Sequence, residues 1–344
     1  MPASAIRSVR RRPWRRVGAA GAAFCLPLAA GVAVPAVASA SGGSVALVGY
    51  STPKPAYATL VKDFNATAAG KGVSFSQSFG SSGSQATAVI DGLPADVVNL
   101  ALAPDVDKLV KAGLVASTWD SGPTKGFVTD SIVSFVVRKG NPDHITNWAS
   151  LVRSGVKVIT PNPFSSGSAK WNIMAAYGAE LAQGKSKAAA TSYLTSFLQH
   201  AAAQPSSASD ALQTFLGGEG DVLLDYEDDA LYAQRQGEPI TVVTPPQTIL
   251  IQNPIALTTS GARSASAKAF VSYLLSPAGQ TAWAKLGYRP VLPQVATRFS
   301  FATPQKLFTI ASLGGWTSVD DTFFTPGTGT VAKIEAKLGV STAG

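Results

Sequence analysis

Between Val45 and Leu286 the chain alternates two patterns: short apolar runs rich in β-branched residues, and longer stretches with apolar residues three and four apart. This alternation is the strongest constraint on the fold, because strands that hand over to helices build a largely parallel sheet covered on both faces. VALVGY (45–50), VSFSQSF (73–79), ADVVNLAL (95–102), SIVSFVVRKGNP (131–142, ending at a turn), VKVIT (156–160) and DVLLDY (221–226) read as strands. Helices are expected after Pro53, at QATAVIDGL (85–93), at AKWNIMAAYGAELAQG (169–184), at SYLTSFLQHA, at ALQTFLGG, from near Glu227, and at AKAFVSYLL and GQTAWAKLG. Residues 240–258 return as extended chain. The class is α/β, and the strand-to-helix turns of such a sheet collect at the carboxyl ends of the strands, where ligands bind.

The first forty residues stand apart. Six arginines between Arg7 and Arg16 precede an apolar run from Val17, and Ala38-Ser39-Ala40 is a small-residue cleavage signature. We expect an exported protein cleaved after Ala40, although the run to Ala38 is long enough to serve as an uncleaved anchor. Removing this segment leaves 22 Lys and Arg against 20 Asp and Glu. The basicity that would suggest nucleic acid as a partner therefore sits almost wholly in the export signal. The one cysteine, Cys25, lies there too and follows Phe24 rather than a small residue, so disulfides, thiol chemistry and lipidation are not expected. About 300 remaining residues exceed one ordinary core, so two lobes are expected.

The chemistry concentrates in a repeated string: Ser-Ser-Gly-Ser occurs at Ser81–Ser84 and again at Ser165–Ser168. Neither copy has the G-x-S-x-G spacing of a nucleophile elbow, and Gly167, three residues before Lys170, excludes S-x-x-K. His144 and His200, the only histidines, read as surface residues rather than bases. A secreted serine hydrolase using Ser166 or Ser82 is thus a remote alternative. No Cys/His cluster, H-E-x-x-H or P-loop occurs, so no cofactor is expected. Asp225, Glu227, Asp228 and Asp229 could hold a hard cation, but a solvated acidic first turn of a helix is the favoured reading. What remains is four serine-bearing helix starts, at Ser51, Ser82, Ser166-Gly167-Ser168 and Ala208-Ser209. At such starts the first N–H groups lack internal partners and the helix dipole favours negative charge, so a small oxyanion is a reasonable ligand.

SFGSSGSQATAVIDGLPADVVNLALAPDV, VVRKGNP, VKVITPNPFSSGSAKWN, GDVLLDYEDDAL, VTPP, LGYRP and LFTIASLGGW occur in this order with spacing similar to the periplasmic sulfate-binding proteins of ABC transporters, which the chain resembles over nearly all of its mature length. The resemblance implies a two-lobe, type II periplasmic-binding-protein-like fold, each lobe a mixed sheet flanked by helices, with the ligand in the interlobe cleft. It places lobe I at 45–133 plus 250–344 and lobe II at 134–249. It implies a monomeric, non-catalytic receptor that delivers sulfate to the permease of an ABC importer, the ligand being held by neutral donors. Carried over by motif position, these are the N–H groups of Ser51, Ser82, Gly167, Ser168 and Ala208, the Ser166 hydroxyl, and Tyr226. Ser51 stands where the family often has Asp, Ser168 where Gly is usual, and Tyr226 where a tryptophan donates its indole N–H. A phenol can accept as well as donate, which widens the choice of ligand among sulfate, thiosulfate, molybdate and phosphate. Strand alternation turns Asp225 away from the face of Tyr226.

Overall fold

The computed structural model describes residues 42–342; the expected export signal and its cleavage site lie outside them. Two three-stranded parallel sheets form the frame. The first contains β1 (Ser44–Tyr50), β2 (Ser74–Gly80) and β3 (Val97–Asn99), with α1 (Lys54–Asn65), α2 (Ser82–Ile90) and α3 (Ala103–Lys111) following in turn. After β4 (Phe127–Arg138), the second contains β5 (Val158–Ile159), β6 (Ala201–Ala203) and β7 (Val222–Tyr226). Its helices are α4 (Gly167–Ala182), α5 (Lys187–Gln199), α6 (Ala208–Leu216) and α7 (Glu227–Arg235).

The two sheets are joined by long antiparallel strands. β8 (Ile240–Val243) is short, and Pro245 and Pro246 end it because proline supplies no ladder N–H. β9 (Gln247–Leu257) then runs through the middle of an order β2-β1-β3-β9-β4-β7-β5-β6. The first half of β4 pairs with β9 from Phe127↔Pro254 to Ile132↔Leu250, and its second half pairs with β7 and β8. The chain closes with α8 (Ala265–Leu274), α9 (Pro277–Lys285), β10 (Arg289–Pro290) and β11 (Lys306–Phe308). A final helix spans Thr330–Leu338.

β1 and β7 are buried on both faces, and strand alternation sorts their side chains. Leu47 packs with α1, α8 and α9, whereas Val48 packs with α2 and α3. Leu224 and Tyr226 pack toward α4, whereas Leu223 packs toward α6 and α7. Residues after β10 join the second sheet's core: Ile310, Phe323, Phe324 and Ile334 pack in one cluster with Ile173, Leu194 and Phe197. The Phe308 ring lies 2.2 Å from where a Cβ on Gly178 would stand, which is why α4 carries a glycine there. Sequence patterning finds most elements but shifts their ends. α2 begins at Ser82 rather than Gln85, so the first Ser-Ser-Gly-Ser forms the helix's opening turn rather than a link to it.

Candidate functional site

The serine-bearing helix starts all sit after carboxyl ends of parallel strands. Ser51 and Thr52 follow β1, Ser82 opens α2 after β2, Gly167 opens α4, and Ala208 opens α6 after β6. At α6 the Ser207 hydroxyl caps the Asp210 N–H and donates to the Asp210 carboxylate, a reciprocal cap. At α2 and α4 the N-cap residues, Ser81 and Ser166, make no side-chain cap, so the helix-start N–H groups are left without the usual internal acceptor.

Contacts link these turns in a ring, closed between the α4 and α6 turns by the Ser165 hydroxyl, which donates to the Ser206 carbonyl at 2.8 Å. The Gly83 N–H donates to the Ser165 carbonyl at 3.2 Å, so the two Ser-Ser-Gly-Ser strings touch. The Ser209 N–H donates to the Ser51 hydroxyl at 3.3 Å. The Tyr50 and Tyr226 rings lie 6.1 Å apart, and the Tyr226 hydroxyl faces Ser168 and Asn253 without closing a well-formed hydrogen bond. Gly167 packs directly on Ala101 and Leu102: a Cβ there would lie 2.9 Å from Ala101 Cβ and 2.7 Å from Leu102 Cδ2. Trp171 Nε1 and Asn253 Nδ2 both donate to the Ala101 carbonyl, at 2.9 and 3.1 Å. The Ser82 hydroxyl accepts from the Ala101 N–H at 2.9 Å and donates to Asp105 at 2.6 Å, which leaves the residue's backbone N–H as its free donor. All seven residues singled out by the sequence, Ser51, Ser82, Ser166, Gly167, Ser168, Ala208 and Tyr226, are therefore on this ring and buried.

The N–H groups of Ser51, Ser82, Gly167, Ser168 and Ala208 donate to no protein acceptor among the described residues. A buried donor without an acceptor costs about 1–3 kcal/mol, so five on one ring suit a partner rich in acceptors. Neighbouring cations are committed elsewhere. Lys170 pairs with Asp320 at 2.7 Å, and Arg289 forms a two-pronged bond to Glu227 at 2.7 and 2.9 Å. The ring thus offers dipoles and hydroxyls rather than a counter-charge. A groove of about 390 Å³ beside Trp119, Leu257 and Leu275 includes none of these turns.

The acidic run after β7 departs from the sequence reading. Glu227, Asp228 and Asp229 do open a helix, but they are 2%, 0% and 6% exposed rather than solvated. α7 packs its first turn inward, where Asp228 meets the Ser131 hydroxyl and the Tyr288 phenol and Asp229 faces Thr52. Burial raises Asp228 to about 7, partly offset by the Ser131 hydroxyl, and raises Asp229 to about 8, reinforced by Asp228. Asp225 is raised by burial and by Asp229 beside it; it shares the face of Leu223, opposite Tyr226, and accepts the Tyr226 N–H at 2.8 Å. No group of three or more His, Cys, Asp or Glu among the described residues is arranged to hold a metal. His144 is exposed, and His200 bonds the Ser196 carbonyl at the end of α5.

The site also uses residues that sequence reasoning passes over. Ala101, Asp105, Trp171 and Asn253 hold the turns together, and Tyr50 adds a second buried phenol. Ala101, Asp105 and Trp171 lie within strings that carry the family resemblance, and Tyr50 immediately precedes a predicted site turn, but sequence reasoning draws no site role for them.

Residues 45–289 match the family model described as bacterial extracellular solute-binding protein. A sulfate-binding protein of Synechococcus elongatus is 39% identical over 84% of this chain and 87% of its own length. One from Escherichia coli is 37% identical over 84% and 92%. Among solved structures, the sulfate-binding protein SubI from Mycobacterium tuberculosis superposes with a TM-score of 0.80 at 43% identity, covering 82% of this chain and all of its own.

Proposed function

We propose that this chain, which belongs to the bacterial extracellular solute-binding protein family, captures sulfate outside the cytoplasm and presents it to the permease of an ABC importer. The observation that carries the reading is the set of five buried N–H groups, on Ser51, Ser82, Gly167, Ser168 and Ala208, none of which has a protein acceptor among the described residues. Sulfate is a tetrahedral dianion with acceptors on every corner and no proton at neutral pH. Helix starts supply both donors and a favourable potential, and their dipoles need no reorganisation when the anion enters. In this reading the Ser166 hydroxyl and the Tyr226 phenol are further donors. A protonated oxyanion would bring an O–H needing an acceptor, and of the groups assigned here only the two hydroxyls could serve. The role is binding without catalysis, since the serines act through backbone N–H groups and neither histidine is bonded to them.

The mechanism we infer is closure of two lobes about β4 and β9. The first lobe comprises residues 45–133 with 250–305, and the second 134–249; we assign 306–342 to the second because Phe308, Phe323 and Ile334 pack there. This moves the C-terminal segment from the lobe that the sequence suggests. The receptor acts as a monomer, exported with its leader removed. Calorimetric titration with sulfate, thiosulfate, molybdate and phosphate tests the function. Binding of sulfate in preference to phosphate is expected; no sulfate heat at millimolar ligand would overturn the reading.

A further inference from the structure

We infer that Trp171 is a positioning residue of this site: its indole N–H, donated to the Ala101 carbonyl, latches the two lobes over the anion and governs how fast the anion leaves. The inference rests on the reading that an oxyanion is held between lobes that part about β4 and β9.

Trp171 lies one turn into α4, whose first two N–H groups, on Gly167 and Ser168, are assigned to the anion. Its side chain is buried, and Nε1 reaches across to the Ala101 carbonyl of the first lobe at 2.9 Å. Ala101 also gives its own N–H to the Ser82 hydroxyl at 2.9 Å. One residue of the first lobe therefore touches both the Ser82 turn and the second lobe's tryptophan, so engaging the indole sets the donor turns of the two lobes in register. Among the described residues, three hydrogen bonds join ring turns of one lobe to the other. Those from Gly83 to Ser165 and from Ser209 to Ser51 are longer, at 3.2 and 3.3 Å, and each involves a partly exposed residue. The Trp171 bond is the shortest and lies wholly in the interior, so it resists opening most.

The indole is held ready from behind. Trp316 meets it edge-on, with ring centroids 4.6 Å apart, from the short helix Gly315–Val319 that also approaches α3 of the first lobe. Lys170, the preceding residue of α4, ties the same C-terminal segment through Asp320 at 2.7 Å. With the ring already fixed, closing the lobes costs little side-chain entropy. A dianion gripped from both lobes leaves only after they separate, and separation breaks this bond, whereas arrival uses lobes already apart. Losing the bond speeds release and leaves capture alone. The Ala101 carbonyl keeps a donor, Asn253 Nδ2 at 3.1 Å, when the indole is gone, so Trp171→Phe removes the latch without orphaning its acceptor.

The test is isotope exchange: protein loaded with radiolabelled sulfate is chased with excess unlabelled sulfate to give the release rate, and calorimetry supplies the affinity from which the association rate follows. Trp171→Phe is expected to release sulfate about 2- to 12-fold faster, the net worth of one buried hydrogen bond, with the association rate within about twofold of wild type. Trp148→Phe controls for lost packing, because Trp148 is equally buried and its Nε1 also donates to a carbonyl, that of Gln247, but inside the second lobe. Its release rate should match wild type. An unchanged release rate in Trp171→Phe overturns the latch, and so does a loss confined to association or an equal acceleration in Trp148→Phe. Should Trp171→Phe not fold, indole hydrogen exchange on the wild type decides: the Trp171 proton, recognised by its ring contact with Trp316, should gain more protection on sulfate addition than that of Trp148, and an equal or smaller gain overturns the latch. A wild type that takes up no labelled sulfate at millimolar ligand overturns the receptor reading itself, so the two failures are distinct.

Discussion

Gly167→Ala isolates packing at the site from donor chemistry, because it keeps the N–H group and adds only a methyl. Gly167 has no left-handed backbone to protect, so the cost is one of space. The added Cβ would stand 2.7 Å from Leu102 Cδ2 and 2.9 Å from Ala101 Cβ, against an ordinary carbon contact of about 3.5–4.0 Å. Leu102 can turn its flexible end away, but Ala101 is held by its N–H to Ser82 and by two donors on its carbonyl. The start of α4 must then retreat by a fraction of an ångström to about 1 Å, carrying the Gly167 and Ser168 N–H groups off the ring. Overpacking of this kind costs about 1–3 kcal/mol, which corresponds to about 5- to 150-fold in affinity. Calorimetry of Gly167→Ala with sulfate measures the loss, and Leu102→Ala in the same chain should recover part of it by removing the nearer clash. Wild-type affinity in the single variant would refute the claim that α4 is clamped against Ala101 and Leu102.

Ser166→Ala should weaken sulfate binding by about 1–2 kcal/mol, the worth of one hydrogen bond to a charged ligand, measured by titration; unchanged affinity removes its hydroxyl from the site. Arg289→Ala breaks a largely buried bidentate pair with Glu227 and should lower stability by about 3 kcal/mol in a urea melt, with the carboxylate left unpaired as the cause. For pH, burial lifts Asp130 and Asp228 from 3.8 to about 7 and Asp229 to about 8, so the folded chain retains protons that the unfolded chain releases. Their contribution is whole below about pH 4 and is lost as pH rises through about 7–8, so the Tm without ligand should be higher at pH 5 than at pH 9. A Tm that climbs over that range would contradict the burial of neutral carboxyls.

Much of the architecture is legible from the residues because strand and helix periodicity differ and the turns are punctuated by Ser, Gly and Pro. Val48 and Leu224 betray strands covered on both faces by lacking polar alternation, whereas the α6 cap falls on Ser207, one residue before the Ala208-Ser209 start that the sequence suggests. The acids after β7 were not legible in the same way. A run such as Glu-Asp-Asp at a helix start looks alike whether it faces water or Thr52 and Ser131, since only the packing of α7 onto β4 decides which. The clamp at Ala101 was invisible too, because it joins residues 82, 101, 171 and 253 that no local pattern relates. The destination of residues 306–342 follows from Phe308 meeting Gly178, a match of shape rather than of period.

The central claim is that an oxyanion sits on five backbone N–H groups, and a crystal structure with selenate, whose selenium scatters anomalously, tests it most directly. The account predicts one strong selenium peak inside the ring, with oxygens about 2.7–3.1 Å from the nitrogens of Ser51, Ser82, Gly167, Ser168 and Ala208 and no Lys or Arg nitrogen in contact. A peak elsewhere, or one held by a cationic side chain, would contradict it.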